Sequence, residues 1–134
     1  MESVVLIVPR NDAEYAVKLK RDFIEAGFSS TIVRSLDSVA GGSSRYLNYD
    51  LAVLTLPVPR TTDEDEREKI MRAITYLKKF QSRSPLLGVV DNSSNLRDLN
   101  DSKRFYANLE ALVNYASRAA VLLTATKLIN ETDS

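Results

Sequence analysis

The chain has 134 residues, with 18 acidic and 18 basic side chains, and contains neither cysteine nor histidine. Without cysteine there are no disulfides, thiolate nucleophiles or thiolate metal sites. Without histidine there is no Ser-His-Asp or Cys-His relay, no imidazole ligand for zinc, and no side chain that ordinarily titrates near neutral pH. The balanced charge sets up no global field of the kind that holds nonspecific nucleic-acid binders on phosphate. The length suits one core and one domain over 1–134.

The opening MESVVLIVPRND lacks the basic start, long apolar stretch and small-residue cleavage site of a signal peptide. No apolar run approaches membrane-spanning length, so a cytoplasmic or nuclear location is expected and the sequon at Asn130 is read as accidental. Val4 to Val8 is a β-branched apolar run bounded by Pro9, the pattern of a central strand buried on both faces of a parallel sheet. Asn11 or Asp12 can cap the helix that follows. On that helix Ala13, Ala16, Val17, Leu19, Phe23 and Ile24 are expected to face the core, and Glu14, Lys18, Arg21, Asp22 and Glu25 to face water. Gly27 should end it, and Thr31 to Val33 should lie parallel beside the first strand through a right-handed crossover.

SLDSVAGGSSRYLN reads as a short helix or irregular crossover with a loop at 40–44. Tyr49 to Leu56 is the third strand, ended by Pro57 and Pro59, which cannot continue a central strand. Thr61 or Thr62 can cap the next helix. Its acidic start, from Asp63 to Glu68, and its basic end, Lys78 and Lys79, match the helix macrodipole, and Ile70, Met71, Ile74 and Leu77 form its core face, with Phe80 a further candidate. Pro85 to Val90 is the fourth strand, followed by the polar loop DNSSN.

From Asp101 the pattern turns helical, with Phe105, Leu109, Leu112, Val113 and Ala116 on one side. Residues 119–125 fit either a fifth strand or the second half of one long C-terminal helix. The spacing of 109, 112, 116, 119 and 123, with no Gly or Pro between them, favours the helix. The alternation predicts an α/β three-layer sandwich with a mostly parallel sheet of four or five strands.

Ligands of such sheets bind outside the carboxyl ends of the strands. Here that edge comprises Pro9 to Asp12, Arg34 and Ser35, Pro57 to Thr62, and Asp91 to Asn95. PRND has no glycine, so neither a dinucleotide fingerprint nor a Walker loop is present and no cofactor is expected. Asp12, Asp50 and Asp91 raise the question of a hard-cation site, but Asp50 falls at the start of its strand. At most two of the three converge, and capping and turn chemistry account for them, so no metal is expected. Basic residues gather between Lys78 and Arg104, with Tyr106 nearby, a mixture that suits RNA but equally describes a solvated face.

The first unit, with Tyr15, Ala16, Leu19, Phe23, Ala26 and Gly27, resembles the anticodon-binding domain of class II aminoacyl-tRNA synthetases. The resemblance covers about a quarter of the chain and implies a noncatalytic module for RNA binding or dimerisation. After residue 35 the sequence departs from that pattern, and the flavodoxin-like group, with its receiver and TIR-like domains, fits the alternation nearly as well. The expectation is therefore a noncatalytic binding module rather than an enzyme. It would contact RNA through Arg10, Asn11, Arg60, Thr61 and Thr62, or protein, including a second copy, through Leu112, Ala116, Ala119 and Leu123. The alternative is a nucleotide- or cofactor-binding flavodoxin-like or TIR-like enzyme, or a signalling domain.

Overall fold

The computed structural model describes residues 2–8, 14–33, 49–57, 62–80, 84–90, 96–114 and 118–133. Its elements are β1 (Ser3–Ile7), α1 (Glu14–Glu25), β2 (Ser29–Val33), β3 (Leu51–Leu56), α2 (Glu64–Phe80), β4 (Leu86–Val90), α3 (Leu96–Phe105), β5 (Ala111–Asn114) and α4 (Arg118–Asp133). All five strands pair in parallel, in the order β2-β1-β3-β4-β5. This is the doubly wound order of the flavodoxin-like fold, with the strand order reversing at β1 and β3.

Alternation along the strands sends side chains to two cores. One face carries Val5, Ile7, Ala52, Leu54, Leu56, Leu86 and Val90 and is covered by α2, through Ile70, Ala73, Ile74 and Leu77, together with Tyr106. The other carries Val4, Leu6, Leu51, Val53, Leu87 and Val89 and is covered by α1, through Leu19 and Phe23, and by α4, through Val121, Ala125 and Ile129. Strands buried on both faces take apolar residues at nearly every position, hence the runs VVLI, LAVLTL and LLGVV, in which the buried Thr55 is the polar residue.

Helix ends follow from local chemistry. Gly27 has φ of 98°, a left-handed conformation that a Cβ would strain. Around it the Gly27 N–H donates to the Ile24 carbonyl at 3.0 Å and the Phe28 N–H to the Phe23 carbonyl at 2.9 Å, a Schellman motif. The accompanying apolar contact is the edge-to-face pair of Phe23 and Phe28. At the start of α2 the cap is Asp63, whose Oδ1 accepts the Glu66 N–H at 2.8 Å. Thr62 lies one residue too early for that role, and Thr61 falls outside the described residues.

Two expectations are corrected. Val17 and Ile24 are exposed, and Asp22 is buried at 7% exposure, because Arg118 at the start of α4 reaches it. The single C-terminal helix is in fact α3, β5 and α4. The chain leaves helix after Phe105, and the Glu110 N–H donates to the Leu86 carbonyl at 3.1 Å while its Oε2 accepts the Leu86 N–H at 2.7 Å. These bonds draw residues 111–114 alongside β4, so the fifth strand lies there and 119–125 is helical. Tertiary pairing has overridden a helical spacing that propensity alone favoured. Gly88 allows the approach: a Cβ there would sit 2.5 Å from Leu109 Cδ1 and 3.3 Å from Leu112 Cδ1.

Candidate functional site

The reversal of strand order at β1 and β3 brings their carboxyl ends together, and among the described residues that edge is closed by the protein's own groups. The Thr55 hydroxyl donates across to the Ile7 carbonyl at 3.4 Å. The Tyr106 hydroxyl, on a side chain that is 1% exposed, donates to the Pro57 carbonyl at 2.9 Å. The Tyr106 ring is held there edge-to-face against Phe105, with centroids 4.9 Å apart. From Leu51 to Thr62 the chain contains no carboxylate, and among the described residues the end of β3 presents the Thr55 hydroxyl and the Pro57 carbonyl, both already bonded.

Asp50 sits at the opposite edge, as its place before β3 requires. Its Oδ2 accepts the Ser3 N–H at 2.8 Å, and its own N–H donates to the Ser3 carbonyl at 2.8 Å. It therefore ties β3 to β1 and cannot join Asp12 and Asp91, which fall in sequence after β1 and β4 and outside the described residues. Among the described residues no group of three acidic side chains could hold a metal ion.

Of the expected RNA contacts, Arg10, Asn11, Arg60 and Thr61 lie outside the described residues, and Thr62 is half-buried just before the Asp63 cap. Tyr106 is corrected from a nucleic-acid contact to a core residue, because its hydroxyl is used by Pro57. The basic run is dispersed: Lys78 pairs with Glu110 at 3.3 Å and Arg104 with Asp101 at 3.1 Å. Of the expected interface residues, Leu112 lies on β5, where its side chain is partly buried against the core face that α2 covers. Ala116 lies outside the described residues, whereas Ala119 is exposed and Leu123 is 73% exposed on α4.

The groups that sequence reasoning missed are those with partners far along the chain. Arg118 Nε lies 3.2 Å from Asp22 Oδ1, and its Nη2 donates to Glu25 Oε2 at 2.9 Å, joining α4 to α1. With Lys18 and Arg21 these three side chains line a shallow polar groove of about 370 Å³ between the two helices. Tyr49, before β3, is also buried, and its hydroxyl has no hydrogen-bond partner among the described residues. Desolvation, with Tyr76 nearby as a second cause, holds that phenol well above the ordinary tyrosine range.

No protein-family model matches the chain, and no curated protein sequence matches it. Solved structures do resemble it. A response regulator receiver protein from Sinorhizobium medicae is 14% identical with a TM-score of 0.63, covering 98% of this chain and 97% of that one. The receiver domain of a sensor histidine kinase from Pseudomonas aeruginosa, with a magnesium ion coordinated in its active-site cleft, is 14% identical with a TM-score of 0.68, covering 97% and 99%. The response regulator TrrA from Thermotoga maritima, in complex with Mg2+-BeF, is 15% identical with a TM-score of 0.65, covering 96% and 99%. They establish the flavodoxin-like fold, and the anticodon-binding resemblance of the first unit has no counterpart among them. As for a magnesium ion, the β3 end of this chain supplies no carboxylate oxygen, and among the described residues the donor set there, one bonded hydroxyl and one bonded carbonyl, does not fit a hard cation.

Proposed function

We propose that this protein is a signalling domain of receiver-like fold that works by binding other proteins and not by accepting a phosphoryl group. The observation that carries this reading is the end of β3. A phosphoryl acceptor needs a nucleophile and a cation to spread the developing charge. At the centre of the sheet this chain instead places Thr55, Leu56 and Pro57, with the Tyr106 hydroxyl on the Pro57 carbonyl. The flavodoxin-like architecture and its receiver-domain neighbours support the signalling class, and the lack of histidine and cysteine agrees with a noncatalytic role.

Thermal unfolding with Mg2+ and beryllium fluoride tests it, since a ligand that binds only the native state raises the midpoint. The midpoint is expected to stay within error of the ligand-free value. A rise that saturates with beryllium fluoride and needs Mg2+ would overturn the reading. The outward face of α4, with Ala119 and Leu123, is the surface through which a second copy would associate. Sedimentation is expected to show a weight-average mass that climbs with concentration, and Leu123→Glu should abolish the climb. A wild type that remains monomeric throughout would remove the dimer from this account.

A further inference from the structure

Three large apolar side chains are exposed among the described residues, and two of them share one helix: Val17 at 46% and Ile24 at 51% on α1. Seven residues apart, they differ by about 20° around the helix axis and form one stripe. At about 100° per residue, Lys20 and Arg21 lie about 50° to either side of that stripe, and Lys18 lies further round beyond Arg21. Asp22 falls on the far side of the helix, toward α4, where Arg118 takes both its carboxylate and that of Glu25. No ion pair with a described side chain engages Lys18, Lys20 or Arg21. The stripe is thus apolar at its centre with Lys20 on one border and Arg21 on the other, and beyond Arg21 come Glu25, about 90° from the stripe and paired with Arg118, and then Lys18. It is also turned away from α4, toward the side of the sheet where β2 is the edge strand.

Resting on the reading of this chain as a protein-binding domain, we propose that the Val17–Ile24 stripe of α1 docks an acidic amphipathic helix of a partner protein. Apolar side chains of the partner would cover Val17 and Ile24, and its carboxylates would meet Lys20 and Arg21, with Lys18 at the rim. Charge complementarity selects the occupant. A neutral or basic helix would bury the same apolar area while leaving the cations opposed by nothing or by like charge. The α4 face does not share this signature, since its Lys127 has Glu131 one turn on, at 4.0 Å.

The test uses two labelled synthetic helical peptides with leucine on one face, one carrying glutamate and the other lysine on the opposite face. In an anisotropy titration against the full chain, the glutamate peptide is expected to bind and to weaken steadily with added salt. The lysine peptide should bind at least tenfold more weakly. Lys20→Glu/Arg21→Glu should reverse that preference, and Ile24→Ser should weaken the glutamate peptide by about tenfold, each variant keeping the wild-type thermal midpoint. Because the altered side chains lie at the surface, a variant that loses its fold can be replaced by Val17→Ser for the same reading. Equal binding of both peptides, no binding of either, or binding that the variants leave unchanged would overturn the proposal. If stripe variants instead altered sedimentation with no peptide bound, the occupant would be a second copy and the proposal would fail. Loss of self-association in Leu123→Glu with peptide binding intact would touch the dimer alone.

Discussion

The two helical layers of this sandwich are built differently. The layer of α2 and α3 closes over its face of the sheet with Ile70, Ile74, Leu77 and Tyr106, and is tied at its margin by the Lys78–Glu110 ion pair and by Glu110 on the Leu86 N–H. The layer of α1 and α4 closes equally well underneath, yet carries Val17, Ile24 and Leu123, the large apolar side chains exposed among the described residues. A single exposed leucine is ordinary in a folded protein, but a pair seven residues apart on one helix, bordered by Lys20 and Arg21, is a surface with a direction. One layer serves the fold, and the other also presents exposed apolar side chains.

Changes on each layer should therefore separate stability from binding. The largest loss is expected for Leu77→Ala beneath α2: it removes a fully buried side chain and should lower the urea-unfolding free energy by about 2–5 kcal/mol. Gly88→Ala drives a Cβ toward the Leu109, Leu56 and Leu112 side chains and should cost about 1–3 kcal/mol in the same experiment. Tyr106→Phe leaves the buried Pro57 carbonyl without its donor and should cost about 1–2 kcal/mol. Leu123→Ala on α4, by contrast, should move stability by no more than about 0.5 kcal/mol while weakening association. If Leu123→Ala cost as much as Leu77→Ala, the distinction between the layers would collapse.

A subtler effect is expected at Tyr49. Burial raises its folded pKa above the unfolded value of about 10, so the folded state keeps its proton where the unfolded chain gives it up. The stability this provides is full below about pH 10 and falls as pH climbs further toward the folded pKa. Tyr49→Phe should flatten that alkaline decline and leave stability at neutral pH little changed, because the hydroxyl has no partner to lose among the described residues. Paired urea titrations at neutral and alkaline pH measure both effects.

The pattern of this division was partly legible in the amino acids. Continuous apolar runs marked β1, β3 and β4 as buried on both faces, Gly27 marked the end of α1, and the acidic start and basic end of α2 matched its dipole. The role of Asp22 was not legible, because its partner is 96 residues away on α4. Nor was β5: ALVN has the spacing of the helices on either side and becomes a strand only through Glu110, Leu86 and Gly88. Val17 and Ile24 were placed in the core because a broad apolar arc includes them, whereas α1 buries only the narrower arc centred on Ala16, Leu19 and Phe23. The edge at β3 could be read for what it lacks, a carboxylate, but not for the Tyr106 hydroxyl that closes it from 49 residues on.

The central claim is that a receiver-like fold here carries protein binding without phosphoryl acceptance. Intact-mass measurement of the 15.0 kDa chain after incubation with acetyl phosphate and Mg2+ tests it most directly. The account predicts an unchanged mass. A gain of one phosphoryl group, lost in Asp91→Asn or Asp12→Asn, would contradict it and place an acceptor carboxylate at the strand-end edge.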